Sequence, residues 1–87
     1  MKSKKTIRSE QYKDLIEQLC QERQRLGLSQ AEVALYLNMK QSDISKIETG
    51  ERRIDVLEFK ELLKTYRVDD NKKLKKIVEQ FFELEKQ

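Results

Sequence analysis

The chain contains no proline and only two glycines, Gly27 and Gly50. These are the two residue types that most reliably interrupt helices. Helical stretches can therefore run long, and each glycine marks a boundary. Runs of β-branched and aromatic residues bounded by turn residues, which would read as strands, do not occur. The class expected is all-α. With 87 residues there is room for one domain and one core. Hydrophobic residues make up 37% and charged residues 40%, so the surface must be dense with charge and the core thin. The apolar periodicity still separates the chain from disordered sequences.

Read along the chain, residues 1–9 (MKSKKTIRS) form a short basic tail without apolar periodicity. It is either a solvated terminus or an arm that touches phosphate. From Glu10 to Leu26, Tyr12, Leu15, Ile16, Leu19 and Leu26 fall on one helical face, and Arg23 falls among them. Gly27 ends that helix. Ser29-Gln30-Ala31-Glu32 fits a capping box, opening a second helix whose inner face is Val33, Ala34 and Leu37. Asn38 tolerates the left-handed conformation of a tight turn. The third helix spans Gln41–Thr49 and stops at Gly50. After a loop, Asp55 caps a fourth helix carrying Val56, Phe59, Leu62, Leu63 and Tyr66. A fifth runs from about Asn71 to Lys86, with Leu74, Ile77, Val78, Phe81, Phe82 and Leu84 on one arc. Five helices joined by short links predict a compact orthogonal bundle. The organisation expected is a tail (1–9), a core domain (10–68) and an amphipathic C-terminal helix (69–87).

Several function classes are excluded or disfavoured at this level. There is no histidine, no glycine-rich phosphate loop and no nucleophile–base constellation, so an enzyme is not expected. One cysteine, Cys20, cannot form an intrachain disulfide or, without histidine, a zinc site, and no cofactor or metal is expected. Cys20 lies beside an apolar face and reads as a small, partly buried hydrophobe rather than a redox sensor. No apolar run approaches the ~20 residues of a membrane span and no signal peptide opens the chain, so the cytoplasm is the expected compartment. The net charge of +3 and a pI near 9.0 are compatible with a nucleic-acid partner without requiring one.

The third helix divides by face. Ile44, Ile47 and Glu48 point inward; Ser42, Ser45, Lys46 and Thr49 point outward, with Gln41 at the N-terminal tip. A helix that reads base edges needs this division into apolar anchors and hydrogen-bonding side chains, although exposed polar faces are common without it. The order of features then becomes specific. Arg23, Gly27-Leu28-Ser29-Gln30, Ala34, Ile44-Ser45-Lys46-Ile47-Glu48, Gly50, Arg52-Arg53 and the apolar pattern ending at Val68 together resemble the helix-turn-helix domain of the phage Cro and C1 repressor type, also called XRE. The likeness covers roughly residues 12–68, about two-thirds of the chain. It implies a lambda-repressor-like fold in which helices 2 and 3 form the helix-turn-helix. Three positions depart from the pattern. Asn38 replaces the turn glycine, Lys40 replaces a Ser or Thr cap, and Ile54-Asp55 replaces Pro-Ser.

The resemblance and the helix faces together assign candidate roles. Gln41, Ser42, Ser45 and Lys46 are expected to read bases. Gln30, Lys40, Thr49, Arg52 and Arg53 are expected to bind phosphate, Gln30 also bracing the reading helix. Arg23 and Glu48 are expected to form a buried ion pair, a structural element. Leu74, Ile77, Phe81 and Leu84 have heptad-like spacing and are candidates for a dimer seam, with packing inside the monomer as the alternative. The lysines at the start of that helix are followed by Glu79, Glu83 and Glu85, so a charged outer face fits better than a membrane surface. The function expected is a bacterial or phage-encoded repressor binding a palindromic operator on double-stranded DNA as a homodimer. An antitoxin that binds both operator and a toxin protein is the alternative, and an interaction module without DNA binding a third.

Overall fold

The computed structural model describes the backbone of residues 2–83 and the side chains of residues 10–83. Among these residues are five α-helices and no strand: α1 (Lys2–Arg25), α2 (Gln30–Leu37), α3 (Gln41–Thr49), α4 (Val56–Thr65) and α5 (Lys72–Phe81), with a 3-10 turn at Val68–Asp70 before α5.

The helix boundaries follow from local chemistry. Gly27 adopts φ +75°, Leu28 N donates to the Arg23 carbonyl at 3.1 Å and Gly27 N to that of Gln24 at 3.0 Å. This is a Schellman closure, and it needs a residue without a Cβ penalty at the left-handed position. Asn38 repeats the arrangement after α2 at φ 59°, with Met39 N donating to the Ala34 carbonyl at 2.8 Å. At the start of α2, Ser29 Oγ accepts from Glu32 N at 3.0 Å and Glu32 Oε1 from Ser29 N at 2.8 Å. Asp55 and Glu58 form the same reciprocal pair at α4, at 2.8 and 3.1 Å.

Two boundaries differ from the sequence reading. α1 begins at Lys2 rather than Glu10, so the basic tail is helical in its backbone. Residues 2–9 have no apolar stripe, but neither do they contain a breaker, and adding turns to an already nucleated helix costs little. Their side chains, and with them any arm on phosphate, lie outside the described residues. α5 is capped by Asn71, whose Oδ1 accepts from Leu74 N at 3.1 Å, and the helix ends at Phe81 rather than Lys86. Leu84 and the rest of the expected final turn lie outside the described residues.

The core is one cluster drawn from every helix. Leu15, Ile16 and Leu19 from α1 meet Val33 and Ala34 from α2, Ile44 and Ile47 from α3, Leu62 and Tyr66 at the end of α4, Val68, and Leu74 and Val78 from α5. Leu74 is 4% exposed, its surface covered by this domain. Ile77 and Phe81 pack against the same core while remaining half-buried. An amphipathic stripe reports that a face is covered, not whether the cover is the same chain or a second one.

Candidate nucleic-acid interface

α3 is the outer element of a two-helix unit with α2, fixed by Ile44 and Ile47, each 3% exposed. The residues between these anchors and outside them then face solvent: Gln41, Ser42, Lys46 and Thr49 are exposed and Ser45 is half-buried. The division of faces expected from the sequence is the one observed. Lys40 occupies the position before α3 but cannot accept a hydrogen bond from the first turn. Asp43 supplies half of a cap instead, its Oδ2 accepting from Lys40 N at 3.4 Å, where the helix dipole also favours an acid. Thr49 Oγ1 donates to the Lys46 carbonyl at 3.2 Å, which holds the hydroxyl back on its own helix.

Behind this face the structure brings Arg23 and Glu48 together. Arg23 Nε donates to Glu48 Oε2 at 2.7 Å and Nη2 to Oε1 at 3.1 Å, with both side chains 11% exposed. Arg23 Nη1 also donates to the Leu28 carbonyl at 2.8 Å, tying the ion pair to the turn before α2. Burial alone would raise the Glu48 carboxyl. The hydrogen bonds from Arg23 and Gln30 and the charge of Arg23 outweigh it and hold the group below the usual carboxylate range. Burial and then the nearby Glu48 charge push the Cys20 thiol up.

The pair is the root of a relay to the exposed tip. Gln30 Nε2 donates to Glu48 Oε1 at 2.9 Å, and Gln41 Nε2 donates to Gln30 Oε1 at 3.4 Å. Gln30 thus links α2 to both ends of α3.

The loop after α3 is tied to both neighbouring helices. Arg52, a residue expected to bind phosphate, donates from Nη1 and Nη2 to both carboxylate oxygens of Glu58, at 2.9 and 2.8 Å. That hydrogen bonding holds the Glu58 carboxyl below its ordinary value. Arg52 is therefore a strut between the loop and α4. Arg53 is exposed and its guanidinium carbon lies 4.9 Å from the ring centroid of Tyr12. Tyr12 Oη accepts from Ile54 N at 3.1 Å, so α1 holds this loop in place. Sequence reasoning placed Tyr12 only in the core and did not assign Glu58 beyond its helix.

Glu22 was also missed. It is 5% exposed and accepts from Arg25 at 2.9 and 2.7 Å and from Asn71 Nδ2 at 3.0 Å, joining α1 to the start of α5. Its position seven residues after Leu15 placed it on the inner face, and that spacing was the available signal.

Among the described residues, no helix is long and apolar enough to cross a membrane. No curated protein matches the chain. Comparison with protein-family models matches residues 21–73, more than half of the chain, to the family described as Helix-turn-helix. The match takes in the Arg23–Glu48 pair, both helices of the turn, the arginine loop and α4, and the chain belongs to the helix-turn-helix family of the XRE, or Cro/C1, type, whose members are DNA-binding transcription regulators.

Proposed function

We propose that the chain is a repressor that occupies a palindromic operator on double-stranded DNA as a homodimer, acting in the cytoplasm. One observation carries the reading. α3 presents Gln41, Ser42 and Lys46 outward from a helix held by two buried isoleucines and, through Gln30, by the Arg23–Glu48 pair. A glutamine can pair bidentately with adenine and a lysine can donate to guanine, each discriminating by roughly 1–3 kcal/mol. Gln41, Ser42, Ser45 and Lys46 are the base-reading set in this reading. Gln30, Lys40 and Arg53 are the phosphate set, which Thr49 joins by turning its hydroxyl off the Lys46 carbonyl, with Arg52 behind them as a strut.

One copy offers few base contacts, and a dimer with half-sites roughly 34–36 Å apart supplies the rest. With Leu74 covered, apolar surface for a second copy remains at Val56, 81% exposed, at Leu57, and at Phe82, which rests against Phe59 with ring centroids 5.6 Å apart. Repression then follows from occlusion of a promoter. Selection of bound duplexes from a random pool tests this directly. A two-fold symmetric consensus, altered at one base pair by Gln41→Ala or Lys46→Ala, is the expected result. Failure to enrich any motif refutes it.

The antitoxin reading has its own support. Leu35 and Tyr36 of α2 are exposed, and Tyr36 lines a groove of about 500 Å³ with Leu26, Leu28, Glu61, Lys64 and Thr65. A toxin-like reading frame beside the gene whose product co-purifies with this chain would favour it. Its absence removes that support.

A further inference from the structure

We propose that Tyr12 is a positioning residue for the DNA contact: its ring seats the Arg53 guanidinium and its hydroxyl fixes the Ile54 backbone, so that Arg53 meets a phosphate from a preset direction. The inference rests on the DNA-binding reading above and adds to it a residue from outside the matched segment 21–73.

The two arginines of the loop are adjacent in sequence but differ in what they can still donate. Arg52 has turned its terminal N–H groups onto Glu58 in a bidentate pair. Arg53 has its guanidinium carbon over the Tyr12 ring, 4.9 Å from the centroid. The ring quadrupole attracts the cation without a hydrogen-bond acceptor, so the Arg53 N–H groups are not committed to a carboxylate as those of Arg52 are. The seat therefore orients the cation without consuming its hydrogen bonds, which is what a phosphate ligand requires.

The backbone is fixed at the same point. Residues Arg53–Asp55 lie in no helix, and the Ile54 amide is satisfied by Tyr12 Oη at 3.1 Å, across 42 positions of sequence. On the other side, Glu58 accepts from both Arg52 and Asp55 N. The loop is thus pinned from α1 at Ile54 and from α4 at Arg52 and Asp55, with the Arg53 side chain between the pins. An arginine ordered before binding loses less rotamer freedom on contact, and this is where a gain in affinity arises.

The test is a double-mutant cycle between Tyr12 and Arg53, read as affinity for a short fluorescent mixed-sequence duplex over a salt series, with circular dichroism verifying the fold of each variant. Tyr12→Leu is expected to weaken binding about threefold. Arg53→Ala should lower the salt slope by about 1. The double variant should bind no more weakly than Arg53→Ala alone. Equal losses from Tyr12→Leu in both backgrounds would mean that Tyr12 acts on the fold only, and would overturn the proposal. Tyr12→Phe keeps the ring and serves if the leucine variant does not fold: it should retain most of the affinity while the Ile54 amide exchanges faster. Unchanged exchange at Ile54 overturns the hydroxyl's part. If the wild-type chain binds no duplex, the DNA reading fails and the positioning role with it, whereas additive losses in a chain that does bind refute the positioning role alone.

Discussion

Replacing Glu48 by alanine isolates the interaction on which both the core and the exposed face of α3 depend. The variant leaves Arg23 charged, since nothing else in the site can neutralise a guanidinium. Two of its hydrogen bonds disappear, at 2.7 and 3.1 Å, and Gln30 loses its acceptor at 2.9 Å. Arg23 retains the Leu28 carbonyl and a long contact of 3.9 Å to the Cys20 sulfur. Removing one partner of a buried pair costs about 3–5 kcal/mol. With 11% of each side chain still reaching solvent and one carbonyl retained, the lower end applies, about 3 kcal/mol. For a domain of this size each kcal/mol moves the melting temperature by about 4–8 °C, so a fall of roughly 12–24 °C is expected. Thermal and urea unfolding followed by circular dichroism measure it, and an unchanged urea slope would show that the denatured state is not the cause. A second variant, Arg23→Met with Glu48→Leu, removes both charges and should recover much of the loss, because well-packed apolar replacements of buried pairs are often neutral. A Glu48→Ala midpoint within a few degrees of wild type would refute the claim that an uncompensated charge is left behind.

Other expectations follow from the same contacts. Arg52→Ala should change the salt slope of duplex binding less than Arg53→Ala, because its charge is already answered by Glu58; a larger change than Arg53→Ala in a salt titration would contradict the strut assignment. Glu22, Glu48 and Glu58 all titrate below the ordinary carboxylate value when folded. The unfolded chain then binds more protons as pH falls, so stability is full above about pH 4.5 and is lost on further acidification. Melting temperatures across an acid series should be flat above that window and drop below it, and a drop beginning near neutrality would point to other groups. Gln30→Ala should relax base preference at the position read by Gln41, as measured by selection from a random pool, and an unaltered consensus would separate the two glutamines functionally.

The parts of the fold set by one or two neighbouring residues were legible in the sequence. Ser29 with Glu32, Asp55 and Gly27 each dictate a helix end through their own hydrogen bonds or conformational freedom, and the structure places the ends within a residue of where they were expected. Arg23 and Glu48 each lay on an apolar face, where a charge demands a partner, and the family resemblance paired them. What escaped was either non-periodic or relational. The early start of α1 has no apolar stripe to reveal it. Arg67, in the left-handed region at φ 53°, leads into the Val68–Asp70 turn without glycine or asparagine to mark it. The Arg52–Glu58 pair spans six residues across a helix start, a separation at which no local spacing rule operates. Tyr12 with Arg53 and Ile54 exists only once α1 is laid beside the loop. The candidate site was thus readable as a polar helical face, whereas the state of each cation on it depended on tertiary partners.

The relay also determines something about Gln41 that neither its identity nor its exposure decides. A carboxylate only accepts, so Gln30 must turn its NH₂ toward Glu48. The Gln30 carbonyl oxygen then faces Gln41, which must answer with its own NH₂. That leaves Gln41 with a free carbonyl oxygen and one remaining N–H at the outer tip of α3. In the proposed reading, this is the donor–acceptor pair that adenine N7 and N6 would meet. Glutamine is otherwise free to present its amide either way round. The charge of Glu48, two side chains back and largely out of solvent, selects one orientation. Glu48, one of the two acids that leave α3 with a formal charge of −1, is answered by Arg23 and sets the hydrogen-bonding polarity of the surface in front of it.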